Sequence, residues 1–519
     1  MNLVIIHSHL RPGGVRRVIE LAFPHLIRAL SPRLTGIVLL SGEAPDDAWL
    51  RGFVQRTENL PVTCAIEPAA GYLSESSLSP AVLSRRLRAH LEKWVVAPKP
   101  GTALAWAHNQ GVGRNLLLTR ALNEACASAD IPLLMHHHDW WFDNRWPRWP
   151  EMRRSGFRTL SAVARTLFPP LATVRHAAIN QAEAAILQRY LGRTAGWIPN
   201  PADPSPKISA PRRRWARGWL DRSLGERAPV WLVPCRLLRR KNLAEALLLT
   251  RWLRPEAWLV TTGGVSSAAE TAYGQTLETA ARKEGWRMRL GVLSGGDPQP
   301  SVAELLAVSE VILLTSVQEG FGLPYVEAAA AGRPLLARSL ENVAPDLLKA
   351  GLHLPQLYEE LMIDPGLLDW PAEQHRQRQR FRRWLAALPE SCRRQVLPPP
   401  MLIASAPIGA IPFSRLTLTA QLEILRQPVG HSWARCAPLN PFLEPWRHAA
   451  ASGQFKAAGW TRQTEQALGG DGFGRRLADL VRQTPDPARI PHAWRCHEHL
   501  LRSKLRPVFL YPLLWSSEA

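Results

Sequence analysis

Short apolar runs alternate along this chain with longer segments whose apolar positions recur every three to four residues. A buried strand is predicted over 3–6, followed after the loop HSHLRPGG by a helix over 15–30, where Val15, Val18, Ile19, Ala22 and Leu26 share one face. The rhythm repeats, with strands predicted at 35–40, 62–66, 102–106, 132–135, 176–180 and 197–198, and helices at 116–127 and 183–191. It resumes with strands at 230–233, 258–262, 287–292, 311–315 and 335–338, and helices at 212–224, 302–309 and 326–331. Strands that alternate with helical segments predict parallel sheets, hence the α/β class. The proline-dense PNPADPSP at 199–206 reads as a linker, and 519 residues exceed one ordinary core. The expected organisation is a domain over 1–200, a second over 201–440, and an extension over 441–519 in which the helix 472–482 crosses back to the first domain.

Charge adds one constraint. Lys and Arg exceed Asp and Glu to give a net +21 and a pI near 10.7, which suits polyanions, nucleotides or an anionic membrane surface, or is simply a basic background. The segment 374–384, QHRQRQRFRRW, is a basic helix with interleaved aromatics, either a solvated face or a patch for anionic headgroups. Six scattered cysteines without C-x-x-C read as reduced thiols. The start, MNLVIIHSHL, reads as a strand and not a signal peptide, and no apolar run is long enough for a transmembrane helix, so the expected location is cytoplasmic, with peripheral membrane contact left open.

The chemistry concentrates in SVQEGFGLPYVEAAAAGRPLLAR, 316–338. A strand is predicted before it and a helix within it, joined by a glycine-rich turn. The backbone N–H groups of Gly320, Phe321, Gly322 and Leu323 there suit an oxyanion or sugar hydroxyls. Glu319 and Glu327 bracket the turn. A carboxylate accepts two hydroxyl hydrogen bonds at once, so each suits a diol, although each alone also fits a helix cap or a surface acid. After the strand 230–233, PCRLLRRKN sets Arg236 and Lys241 five residues apart, where cations can neutralise a diphosphate. Gly13 and Gly14 open the first helix. AHNQGVGRN at 107–115 places His108 and Asn109 in a polar loop at a strand's carboxyl end, the side on which open α/β sheets bind ligands. In HHHDWWFDNRWPRWP at 136–150, adjacent histidines of an extended segment point to opposite sides, which argues against a shared metal ion; the stretch reads as a cleft wall or as a Trp-rich packed loop.

The pattern E-G-F-G-L-P-x-x-E-A-x-A-A-G-x-P resembles the E-x7-E signature of glycosyltransferase family 4. The R-x4-K-N spacing after strand 230–233 resembles that family's donor-diphosphate clamp, and IPNPAD resembles its interdomain segment, with Pro201 where glycine is common. The resemblance is specific over about 230–338 and absent beyond about 350. It implies the GT-B fold, two Rossmann-like domains facing across a cleft, and a retaining, metal-independent hexosyl transfer from a nucleotide-diphosphate sugar to an unidentified acceptor. No cofactor and no specific nucleic-acid partner are expected. By resemblance, Glu319 grips the sugar and Glu327 the ribose, Arg236 and Lys241 hold the diphosphate with the Gly13–Gly14 loop beside it, and His138 faces the anomeric carbon. His137 stands next to it in register and Asp139 orients it, and both lie with His108 and Asn109 on the acceptor side. Two rival readings stand beside this one: a GT-B phosphorylase using inorganic phosphate, and a basic polyanion- or membrane-binding protein with a vestigial site.

Overall fold

A computed structural model of the chain describes all residues except 32, 98–101, 205–206, 266–267, 297, 405–408 and 516–519. Two residues of the expected linker, 205 and 206, thus lie outside the described residues. The chain divides into two compact units. The first comprises 1–203, 387–395 and 465–505; the second comprises 204–386, 396–464 and 506–519. The expected C-terminal extension is therefore shared out, with 465–505 in the first unit and its flanks in the second.

The first unit is built on seven strands: β1 (Asn2–Ile6), β2 (Gly36–Ser41), β3 (Val62–Ile66), β4 (Ala103–His108), β5 (Leu133–His137), β6 (Val174–Ala178) and β7 (Ala195–Trp197). They lie in the order β3-β2-β1-β4-β5-β6-β7, each pair parallel. β4, β5 and β6 are buried along their whole length, as expected of a parallel sheet covered on both faces. The helix Gly470–Arg482 docks on Gly14–Leu30 through Phe473 and Leu477, and Asp471 accepts from Arg28 and lies 2.8 Å from His25 Nδ1. Gly474 permits this approach, since a Cβ there would sit 2.8 Å from the His25 carbonyl oxygen.

The second unit has β8 (Val230–Val233), β9 (Trp258–Thr261), β10 (Met288–Arg289), β11 (Val311–Leu314), β12 (Leu335–Arg338) and β13 (Gln356–Tyr358). The order β10-β9-β8-β11-β12-β13 is again all parallel. Both units are thus Rossmann-like, the GT-B architecture. β10 is much shorter than the strand expected over 287–292, because Gly291 turns the chain at φ 62. The helix Trp370–Ala387 buries Trp370, Glu373, Gln377, Phe381 and Trp384 along one stripe. Its interleaved aromatics are therefore core residues, while Arg378, Arg382 and Arg383 face solvent. Among the described residues no helix is long and apolar enough to cross a membrane.

In a doubly wound sheet, ligands bind outside the carboxyl ends of the strands where the winding reverses. Here those points lie between β1 and β4 and between β8 and β11. The loops after β1, β4, β8 and β11 singled out in the sequence fall at these two places, and the histidine stretch begins at the end of the neighbouring strand β5.

Candidate functional site

At the reversal point of the second unit, the turn after β8 carries Arg236–Asn242 and the turn after β11 carries Glu319. Asn242 adopts φ 48, a left-handed conformation that asparagine tolerates better than most residues. Its side chain donates to Glu245 Oε2 at 2.6 Å and accepts from Gln421 at 3.1 Å. The Thr315 hydroxyl donates to the carbonyls of Lys241 and Asn242 at 2.9 and 3.1 Å, which ties the turn to the end of β11.

This scaffold turns Lys241 inward, 5% exposed, onto Glu319, 8% exposed. Lys241 Nζ donates to Glu319 Oε1 at 2.5 Å, Arg240 Nη1 donates to Oε2 at 2.6 Å, and Ser316 Oγ donates to Oε1 at 2.6 Å. Burial acts to raise the Glu319 pKa, but Arg240, Lys241 and the Ser316 hydroxyl outweigh it and hold it down at about 2. Glu319 is therefore a permanent carboxylate, and Lys241 is committed to it. Arg236, by contrast, is exposed and makes no ion pair among the described residues. Arg240 and Ser316 were not singled out in the sequence; nothing local distinguishes Arg240 from its neighbour Arg239, which pairs with Glu270 instead.

The helix of the signature spans Leu323–Ala330, three residues earlier than expected, with Pro324 in its first turn where a missing N–H costs nothing. Glu327 thus stands on the second turn, half-buried, and not on the first. Gly322 precedes the helix at φ 82, and a Cβ there would lie 2.7 Å from the Tyr325 ring and 2.8 Å from Val343. Phe321 packs inward at 4% exposed. Asn342 Nδ2 donates to the Glu319 carbonyl at 2.8 Å, closing the turn.

At the reversal point of the first unit, Gly13 and Gly14 are exposed at the start of the first helix. His7, after β1, is buried with Nδ1 3.4 Å from the His108 carbonyl oxygen. His108 ends β4, and its Nδ1 lies 3.1 Å from His138 Nε2. Asn109 takes φ 61, and its Oδ1 accepts from the Asp139 N–H at 3.0 Å. Burial keeps these imidazoles neutral: it pushes His7 down to about 3 and His136 to about 4, and His108 and His138 lie well below the usual imidazole value.

Three expectations for this stretch need correction. His137 points to the other side of the sheet, as alternation along a strand requires, and is packed with Trp140, Phe168 and His176, its Nε2 3.0 Å from His176 Nδ1. The Asp139 carboxylate is engaged by Arg145 at 3.1 Å, and among the described residues it makes no hydrogen bond to His138, contrary to its expected role of orienting that ring. Finally, Trp140, Trp141 and Trp146 are at most 2% exposed and form core, not a cleft wall. Two of the three indole N–H groups find partners inside: Trp140 Nε1 donates to Glu183 at 2.9 Å and Trp141 Nε1 to His497 at 3.0 Å.

Comparison with known proteins bears on the second unit first. Residues 222–355, which contain the whole Lys241–Glu319 assembly, match the family model described as Glycosyl transferases group 1. The chain is similar to mannosylglucosyl-3-phosphoglycerate synthase of Petrotoga mobilis, 24% identical over 354 residues, or 66% of this chain and 66% of that protein. An 88-residue stretch is 42% identical to the MMP alpha-(1->4)-mannosyltransferase of Mycolicibacterium hassiacum, covering 16% of this chain and 21% of the relative. The chain thus spans less than two thirds of the length of one relative and about a fifth of the other. Among solved structures, sucrose-phosphate synthase from Thermosynechococcus elongatus aligns over 93% of this chain and 98% of its own at a TM-score of 0.51 and 13% identity, a likeness of fold.

Proposed function

We propose that the protein is a retaining glycosyltransferase that moves a hexosyl group from a nucleotide-diphosphate sugar to an acceptor, with the donor held at the second unit's reversal point. The observation that carries this reading is the buried Lys241–Glu319–Arg240 assembly inside the segment that matches the glycosyltransferase model. Both relatives are also named for glycosyl-transfer or glycoside-forming activities.

In this reading each group has a task set by its surroundings. Arg236, exposed and uncommitted, meets the donor's diphosphate, together with the backbone N–H groups from Gly320 to Leu323. Lys241 contributes its positive charge while keeping Glu319 ionised and fixed. Glu319 accepts from the sugar's hydroxyls, and Glu327 accepts from the ribose diol. The bond from the anomeric carbon to the diphosphate oxygen breaks with its electron pair passing to that oxygen. The acceptor oxygen bonds to the anomeric carbon from the same face, and its proton passes to the departing phosphate oxygen. No side-chain base is required.

Calorimetric titration with UDP, GDP, ADP and inorganic phosphate tests the donor site. One nucleoside diphosphate should bind, and Glu327→Ala should weaken it about ten- to a hundredfold, the range for losing hydrogen bonds to a charged group. Binding of phosphate alone would replace this reading with the phosphorylase, and no binding by any of the four would overturn it. Proton coupling at the product's anomeric carbon, measured by NMR, decides retention.

A further inference from the structure

Alternation along β5 and pairing with β4 bring His108, His136 and His138 to one side of the first unit's sheet. The hydrogen bonds of these rings are incomplete. His136 Nε2 lies 3.0 Å from the carbonyl oxygen of Ile198. A carbonyl only accepts, so this nitrogen carries the proton and Nδ1 is a bare lone pair. That Nδ1 is buried and has no hydrogen-bond partner among the described residues, and the same is true of His108 Nε2. His108 and His138 share one contact at 3.1 Å. One nitrogen from each of the three rings lies within 4.8 Å of the other two.

We propose that His108, His136 and His138 form a binding site for a divalent transition-metal ion of the zinc class. Neutral imidazole suits zinc, copper and nickel, and three histidines with an open fourth position are an established coordination set. Bonds of about 2.0–2.1 Å at tetrahedral angles place donor atoms roughly 3.4 Å apart. The 3.1 Å between His108 Nδ1 and His138 Nε2 is already close to that, which leaves His108 Nε2 to carry that ring's proton, and drawing in the His136 ring from within 4.8 Å takes a modest rotation. The Ile198 carbonyl on His136 is the outer partner that metal-bound histidines use to set their tautomer. Trp106 lies 4.1 Å from the His108 ring centroid and Phe473 5.9 Å from that of His136, so the surroundings are apolar. His138, 8% exposed against 1% and 0% for the other two, is the member an ion meets first.

Adjacent histidines such as His136 and His137 point to opposite sides and cannot share an ion, whereas His136 and His138, two apart, point the same way and are joined by His108 from the neighbouring strand. A bound ion takes the lone pair of His138, so this assignment and the placement of His138 at the donor's anomeric carbon exclude each other. The inference concerns the first unit alone and does not depend on the donor site.

The test uses the full chain, stripped with chelator and dialysed, with no sugar present. Zinc titrated by calorimetry should bind at one ion per chain, and cobalt should give the intense visible bands of a four-coordinate ion. His108→Ala should weaken zinc by more than about 100-fold, the upper range for losing even an outer partner, while exposed His448→Gln binds as the parent does. Should His108→Ala fail to fold by circular dichroism, zinc-edge absorption of the parent protein decides, with three imidazole ligands expected. No binding, binding unaltered in folded His108→Ala, or fewer than three imidazoles would overturn the proposal.

Discussion

Replacing Glu319 by glutamine removes the negative charge at the second unit's reversal point while keeping the side chain's size. The carboxylate is 8% exposed and receives hydrogen bonds from Lys241 at 2.5 Å and from Arg240 and Ser316 at 2.6 Å each. Burial works to raise its pKa, yet the cations hold it at about 2 against an ordinary 4.5. At about 1.4 kcal/mol per pH unit, this depression stabilises the folded unit by roughly 3 kcal/mol at pH 7. A group whose folded pKa is lowered contributes fully above its unfolded value and loses that contribution as pH falls toward the folded one. The contribution is therefore complete above about pH 5.5, about 2 kcal/mol near pH 3.5, and lost near pH 1. Urea unfolding followed by tryptophan fluorescence should show Glu319→Gln less stable by about 3 kcal/mol at pH 7, with the gap narrowed by about 1 kcal/mol at pH 3.5. Parent and variant curves that stay parallel across this range, or a gap that widens on acidification, would refute the reasoning. In the transfer assay the same variant should lose about 100- to 1,000-fold in kcat, the scale for removing one electrostatic contact to the reacting group.

Other perturbations address other links in the structure. Lys504, in the first unit, donates to Glu183 at 2.7 Å and pairs with Asp143 at 3.2 Å, all three largely buried. Lys504→Met leaves two buried carboxylates uncompensated and should cost about 3–5 kcal/mol. Burial already raises Asp143, and without the lysine this acid folds more readily when protonated, so the loss should shrink as pH falls, read by thermal melts from pH 7 to 5. Gly474→Ala puts a methyl 2.8 Å from the His25 carbonyl oxygen and 3.1 Å from Ala29, and should destabilise the first unit by about 1–3 kcal/mol in the same melts. Gly322→Ala meets both a positive φ and the Tyr325 ring at 2.7 Å, and should lower nucleotide affinity in calorimetry more than it lowers the melting temperature.

The alternation of apolar strands with amphipathic helices was enough to read the α/β class and nearly all the strands of both parallel sheets, since a strand buried on both faces must be apolar throughout. The turns that carry Arg236, Lys241 and Glu319 were legible too, because they follow β8 and β11 and strand ends are set by local pattern. That Arg240 joins Lys241 on Glu319 was not: Arg239 and Arg240 are alike in sequence, and only the folded turn, tied to the end of β11 by the Thr315 hydroxyl, brings Arg240 to the carboxylate while Arg239 goes to Glu270. The histidine stretch shows the same division. Its alternation alone sends His137 to one side and His136 with His138 to the other, but that His108 completes the second group depends on β4 pairing with β5, a contact between residues some thirty positions apart. The tryptophans beside them were read as a possible wall for a sugar, but the helix Arg495–Lys504, from far along the chain, packs its His497 on Trp141 and helps enclose it in the core. Local pattern settles what a residue can do, and long-range packing settles which neighbours it does it with, because burial and pairing are properties of segments brought together from far along the chain.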